Sequence, residues 1–158
     1  MEYRVINWEL RPNPNRPEEK SIGLITFNRP EHLNAVDVRL RVELDILLDE
    51  IRHQSHIKAV IITGAGRGFS AGGDLKSEAG PLGAGEEDFD MGNFGPYKEL
   101  AHYFFNDLRH SVLQRCFRKL EDLPPITIAA INGPAVGIGL ELCTLCDLRF
   151  ASDRAKLG

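Results

Sequence analysis

The sequence predicts an α/β fold built around a parallel sheet. Short runs of Val, Ile and Phe alternate with longer segments whose apolar residues recur at helical spacing. Two of those runs, residues 58–63 and 126–131, are continuously apolar, the pattern of a buried strand. Each leads into a glycine-rich turn. The chain has 158 residues, enough for one domain and not comfortably for two.

Residues 3–10 and 21–27 read as strands rich in β-branched and aromatic side chains. The segment between them carries Pro12, Pro14 and Pro17, which withhold N–H donors, so residues 11–17 are expected to be a turn or loop. A strand–loop–strand start predicts an antiparallel pair. Asn28-Arg29-Pro30 ends the second strand. Over residues 37–53, apolar side chains at 40, 44, 47, 48 and 51 predict a helix with one buried face, capped by Asn34 or Asp37. Residues 58–63 form the next strand. Residues 64–97 hold ten glycines and the solvated acidic group Glu86-Glu87-Asp88, and read as a long functional loop. Leu100, Phe104, Leu108, Val112, Cys116 and Leu120 mark a helix over 98–123, stopped by Pro124-Pro125. A strand over 126–131, a short helix over 137–145 and a strand over 148–151 follow. Residues 155–158 read as the entry to another strand with no closing element after it. The chain is therefore expected to be cut short or completed by a partner, with apolar surface exposed.

Composition excludes several classes. The net charge is −4 and no basic run exceeds two residues, which argues against nucleic acid. No apolar stretch approaches the ~20 residues of a membrane helix. The N-terminus lacks a cationic segment followed by an apolar one, so neither a secretory signal nor a transit peptide is expected. Three cysteines, Cys116, Cys143 and Cys146, are an odd count and read as free thiols of a reducing, cytoplasmic compartment.

The chemistry concentrates in two segments. One is Phe69-Ser70-Ala71-Gly72-Gly73-Asp74-Leu75-Lys76; the other is Gly133-Pro134-Ala135-Val136-Gly137-Ile138-Gly139-Leu140-Glu141. Two glycine-rich turns after strands can aim backbone N–H groups at one point, which suits an oxygen that becomes negative during a reaction. Glu141 follows Ile138 by three residues, so its carboxylate falls on the same helix face. The plain alternative for Glu141 is a surface residue favoured by the helix dipole.

Other motifs are weaker. Gly68-Phe69-Ser70-Ala71-Gly72 spells a nucleophile elbow, but the sequence after it is rich in Gly and Pro where that motif needs a helix. Gly64-Ala65-Gly66-Arg67-Gly68 lacks dinucleotide-loop spacing because Phe69 stands where the third Gly belongs. Cys143-Thr144-Leu145-Cys146 has no second pair and no His at ligand spacing, so core thiols are expected and no metal site. His53 and His56 suit a helix C-terminus. Arg67 and Lys76 are the nearest cations to the two turns, with ordinary surface charge as the plain reading.

Four ordered matches resemble the enoyl-CoA hydratase/isomerase, or crotonase, family. They are Ile25 to Ala35 with Asn28-Arg29-Pro30; Ile61 to Lys76; Ile128 to Gly133 with Gly137 to Leu142; and Cys146 to Ser152. Together they run over residues 22–158. The resemblance implies a crotonase-like (ClpP/crotonase) superhelix of ββα units, incomplete at its C-terminal end. On this reading residues 1–158 are an acyl-CoA-binding core without the family's C-terminal helical segment. It implies that the N–H groups of Gly73 and Ile138 hold a thioester oxygen and that Glu141 is one of two acid/base glutamates. The second falls shortly after Gly158. Leu33, Asn34, Ala35, Ala71, Gly73, Asp74, Leu75 and Lys76 fall where the family contacts coenzyme A. Residues 77–97 are longer than is usual in hydratases.

The resemblance further implies an acyl-CoA thioester as partner and a homotrimer or dimer of trimers. It implies no metal or redox cofactor, coenzyme A entering as part of the substrate. Hydration of a 2-enoyl-CoA, a lyase reaction of fatty acid metabolism, is the leading activity. Double-bond isomerisation is the alternative, and a non-catalytic acyl-CoA-binding fragment or subunit is the reading of another class.

Overall fold

The computed structural model describes residues 3–74 and 110–158. One sheet carries five strands in the order β1-β2-β3-β4-β5, which is their order in the chain. β1 (Ile6–Asn13) and β2 (Arg16–Phe27) form the antiparallel pair. β3 (Ala59–Gly64), β4 (Ile126–Ile131) and β5 (Leu148–Ala151) add to it in parallel. Parallel neighbours require a crossover. α1 (Val38–Arg52) lies between β2 and β3, α2 (His110–Glu121) precedes β4, and α3 (Ile138–Leu145) joins β4 to β5. Each crossover advances by one strand, so the C-terminal ends of β2, β3 and β4 share one edge. The predicted α/β class holds.

Asp37 is the cap of α1, its side chain accepting from the Leu40 N–H at 2.8 Å. The apolar stripe Leu40, Leu44, Leu47, Leu48 and Ile51 is buried, each side chain worth about 1.5–3 kcal/mol relative to exposure. It belongs to one core with Ile25 and Phe27 of β2, Val60 and Ile62 of β3 and Ala129 and Ile131 of β4. Phe27 meets Phe69 edge-on at 5.6 Å, which ties the loop after β3 to this core. The helix expected over 98–123 is described from His110 onward. Residues 98–109 of it, and 75–97 of the long loop, lie outside the described residues.

One expectation needs correction. Residues 11–17 are strand on either side of a tight turn at Pro14-Asn15, not a loop throughout. β1 lies at the sheet edge and residues 16–20 of β2 have no β3 partner, so proline costs no central ladder bond there. The register shifts at Arg11/Pro12 and Pro12/Asn13 absorb the irregularity.

Charged residues on α1 are also buried. Asp45 is fully enclosed and receives Arg115 Nε at 3.0 Å and Lys119 Nζ at 2.8 Å, both from α2. Removing one partner of such an enclosed pair leaves an uncompensated charge, so this cluster fixes how α1 and α2 pack. At the far edge every residue of β5 is exposed, and Phe150 retains 65% of its surface, as the sequence led us to expect. Among the described residues no helix is long and apolar enough to cross a membrane.

Candidate active site

Beyond the C-terminal ends of β2, β3 and β4 the chain builds a second, narrow ladder. It consists of parallel bridges between Val36 and Gly73, Ser70 and Ala135, and Ala135 and Leu157. The segments line up in the same order as the strands that lead to them. The Val36 N–H donates to Gly72 O at 2.7 Å and the Asp74 N–H to Val36 O at 3.2 Å. Ser70 N–H donates to Pro134 O at 3.1 Å, and Val136 N–H returns a bond to Ser70 O at 3.0 Å.

This ladder aims the two predicted donors. The Gly72 C=O and the Gly73 N–H belong to one trans peptide plane and point in opposite directions. Because the carbonyl faces Val36, the Gly73 N–H faces away from it. Among the described residues the amides of Gly73 and Ile138 meet no acceptor. The two turns also repeat one device. Gly73 lies three residues after Ser70 and Ile138 three residues after Ala135, the two partners of one bridge. In each turn a glycine with positive φ precedes the donor: Gly72 at 90° and Gly137 at 50°. L side chains are strained at such φ, so the chirality of the chain selects glycine here. Ile138 opens α3, where the first N–H groups have no helical partner and the dipole is positive.

Glu141 sits in the first turn of α3, its own N–H donating to Gly137 O at 2.9 Å. Its residue is exposed, and its carboxylate has no partner among the described residues. It stands on the same helix as the Ile138 donor with its oxygens uncommitted.

The predicted coenzyme A contacts divide in two. Leu33 is half-buried, and its carbonyl accepts from the N–H of the exposed Ala71 at 2.9 Å, so these two share a rim beside Gly73. Ala35 is buried beneath them. Asn34 has no surface to offer a ligand: it is fully buried. Its Oδ1 accepts from Arg29 N–H, and its Nδ2 donates to Ala65 O and Gly68 O, each at 2.9 Å. Asp74 turns its carboxylate inward to Arg29 Nη2 at 3.1 Å. Leu75 and Lys76 lie outside the described residues.

A family model described as enoyl-CoA hydratase/isomerase matches residues 22–158. The chain belongs to that family. It is 36% identical over 142 residues to a short-chain-enoyl-CoA hydratase of Clostridium acetobutylicum, covering 89% of this chain and 47% of the relative. A solved structure of an enoyl-CoA hydratase from Bacillus anthracis superposes with a TM-score of 0.72 at 32% identity, covering 98% of this chain and 50% of the other. A monofunctional enoyl CoA isomerase from M. smegmatis superposes with a TM-score of 0.65 at 30% identity, covering 98% of this chain and 53% of the other. The crotonase-like α/β architecture is thereby established, and the chain spans about half the length of the relatives it matches.

The rival motifs in this enoyl-CoA hydratase/isomerase chain serve structure. Ser70 is buried; its hydroxyl donates to Asn34 O at 2.8 Å and accepts from the Gly72 N–H at 3.2 Å. No helix follows it directly, so this serine braces the Gly73 turn and is not an elbow nucleophile. Cys143 and Cys146 are buried and unpaired, and burial pushes their thiols up to about 12 and about 11. Among the described residues no cluster has metal-ligand character.

Two residues had no assigned role in the sequence reading although both stand in quoted motifs. Arg29 joins the turn after β2 to Asp37 and Asp74. Asn132 donates from Nδ2 to Gly64 O at 2.9 Å and Gly66 O at 3.1 Å, holding the 64–68 turn from the side opposite Asn34. Their signal was an amide or a guanidinium placed at the end of a strand, where a turn's carbonyls need donors.

Proposed function

We propose that this chain carries the thioester-binding half of an active site that hydrates a 2-enoyl-CoA. The carrying observation is the repeated glycine–donor device, which among the described residues leaves the Gly73 and Ile138 amides without acceptors, with Glu141 in the first turn of the helix that Ile138 opens. Addition of water to the β-carbon of an enoyl thioester moves an electron pair onto the carbonyl oxygen. Two preorganised N–H groups stabilise that charge, and losing one such donor typically raises the barrier by about 3–4 kcal/mol. Glu141 takes the proton of the attacking water, and the enolate collapses as the α-carbon is protonated by the same carboxyl or a second acid. A general base of this kind contributes about 10²–10⁴-fold. Leu33 and Ala71 form the rim toward coenzyme A, and Asn34, Ala35 and Asp74 hold that rim in place.

Isomerisation is a second reading, supported by the likeness to the mycobacterial isomerase. The same donors stabilise the enolate formed when a proton leaves the α-carbon. A non-catalytic acyl-CoA-binding role is the remaining reading.

Glu141→Gln separates the three. It is expected to keep acyl-CoA affinity while hydration of crotonyl-CoA falls by about 10² or more. Hydration unchanged by the substitution removes Glu141 from the mechanism. Wild-type turnover of a 3-enoyl-CoA with no hydration selects the isomerase. Tight binding with neither reaction selects the binding module.

A further inference from the structure

We infer that Arg29 is a positioning residue for the Gly73 amide, acting through Asp74 and the segment around Val36. This rests on the thioester-oxygen reading of Gly73. The N–H of Gly73 points where the bridge between Val36 and Gly73 turns it. The Arg29 side chain reaches residues that flank both members of that bridge, Ala35, Asp37 and Asp74, whereas the buried Ser70 hydroxyl contacts Asn34 O and the Gly72 N–H. Toward the first, its Nη1 donates to Ala35 O at 2.5 Å and its Nη2 lies 3.2 Å from Asp37 Oδ2. Toward the second, Nη2 lies 3.1 Å from Asp74 Oδ2. Ala35 and Asp37 flank Val36, and Asp74 follows Gly73, so the guanidinium fastens the two segments across the peptide that carries the donor. The Arg29 N–H in turn donates to Asn34 Oδ1 at 2.9 Å, which locks the guanidinium's own backbone to the turn.

The alternative use of this arginine is direct contact with a coenzyme A phosphate. Its environment argues against that. The Arg29 side chain retains only 12% of its surface, and its two carboxylate partners retain 18% and 15%. A phosphate would have to displace or approach two anions already in place. Lysine is no substitute, because a single ammonium cannot hold a carbonyl and two carboxylates in the fixed fork that a guanidinium offers.

The test compares affinities for acetyl-CoA, which has the thioester carbonyl, and for coenzyme A, which lacks it. Wild-type chain is expected to prefer acetyl-CoA. Arg29→Gln and Asp74→Asn are each expected to bring the acetyl-CoA/CoA affinity ratio toward one, losing more affinity for acetyl-CoA than for coenzyme A. The double variant is expected to lose no more than either single variant, as residues acting in one chain of contacts do. Arg29→Lys is expected to behave as Arg29→Gln. In 15N spectra the Gly73 amide shift on acetyl-CoA binding should shrink in both single variants. Asp74→Asn preserves shape and keeps the test available if Arg29→Gln fails to fold.

A ratio unchanged in both variants overturns the assignment. So does an equal loss for both ligands in Arg29→Gln, which would make Arg29 a phosphate contact, or additive losses in the double variant. A wild-type chain that shows no preference for acetyl-CoA overturns the thioester reading itself, a different result from a preference that the variants retain.

Discussion

Asn34→Asp is the sharpest probe of how the site is held. The new side chain matches asparagine in volume, and both residues tolerate the left-handed backbone found at position 34, where φ is 55°. Only the Nδ2 group changes. That atom belongs to a fully buried residue and donates at 2.9 Å to the part-buried Ala65 O and to the buried Gly68 O. Its loss leaves two acceptors without this donor, at about 1–3 kcal/mol apiece. The Gly68 oxygen keeps a weak donor, Asn132 Nδ2 at 3.4 Å, so its share lies at the low end. The expected loss at pH 7 is about 2–4 kcal/mol, a substantial part of the ~5–15 kcal/mol that holds a domain folded. The pH dependence carries the signature. A carboxylate facing carbonyl oxygens in a buried site has a folded pKa above its unfolded value of about 3.9. The penalty is therefore full above the folded pKa and shrinks as pH falls through it, because the protonated acid regains one donor. Urea unfolding of wild type and variant at pH 7 and near pH 4.5 measures the gap. A gap under about 1 kcal/mol at pH 7, or one that widens on acidification, refutes the account of Asn34 as the clamp of these turns.

Gly72→Ala and Gly137→Ala both place a side chain at positive φ, a strain of about 1–3 kcal/mol each. Only at Gly72 would the added Cβ also meet a backbone atom, Val136 O at 2.8 Å, while at Gly137 nothing lies within 4 Å. Gly72→Ala is therefore expected to destabilise the chain more, and chemical denaturation giving the reverse order would contradict the ladder. Two carboxylates predict opposite pH trends. Burial holds the Glu43 carboxyl above its ordinary value, so its contribution is present below the unfolded pKa and lost as pH rises through the folded one. The melting temperature of Glu43→Gln relative to wild type should rise with pH over that window. Hydrogen bonds from the Thr127 N–H and hydroxyl hold Asp147 below its ordinary value, so its contribution is present above the unfolded pKa and lost as pH falls. Asp147→Asn should fall further below wild type as pH rises from about 2 to about 5. Parallel trends in the two variants would refute these assignments.

Much of the scaffold is legible in the sequence. The runs at 126–131 and 148–151 are β4 and β5 as observed, and Asp37 caps α1 as one of two residues expected to do so. Periodicity reports these elements because each buries one face over several residues. The second ladder is invisible to it, since its bridges are made by single residues in irregular chain. The burial of Asp45 is equally hidden, because its partners Arg115 and Lys119 lie some 70 positions away and charge on a helix ordinarily reads as a solvated face. The prolines of residues 11–17 point to a loop, and only the edge position of β1 makes room for strand there. At the candidate site, the two glycine-rich turns are legible in the sequence. The role of Asn34 is not, because resemblance places it near a ligand while only the structure reveals that its amide faces inward.

The placement of these parts separates what the scaffold decides from what it leaves to individual side chains. Both donors are backbone amides, each set by a glycine with positive φ and by pairing with the neighbouring segment. On the proposed function, this orientation precedes the thioester, so no reorganisation is required when charge develops on its oxygen. Side chains at Gly73 or Ile138 have no part in that, which is why isoleucine is acceptable at the second. An oxyanion pair of this kind serves any reaction that passes through a thioester enolate and cannot choose between adding water and shifting a double bond. That choice belongs to the groups that move protons. Glu141 is carried by α3, on the same rigid element as the Ile138 amide, so helix geometry fixes the separation of the two backbone positions. On the proposed function, a carboxylate one turn from the Ile138 amide works beside the carbonyl and its conjugated carbons. Where the proton is taken from, water or carbon, then depends on whether a water occupies the space between Glu141 and the acyl chain.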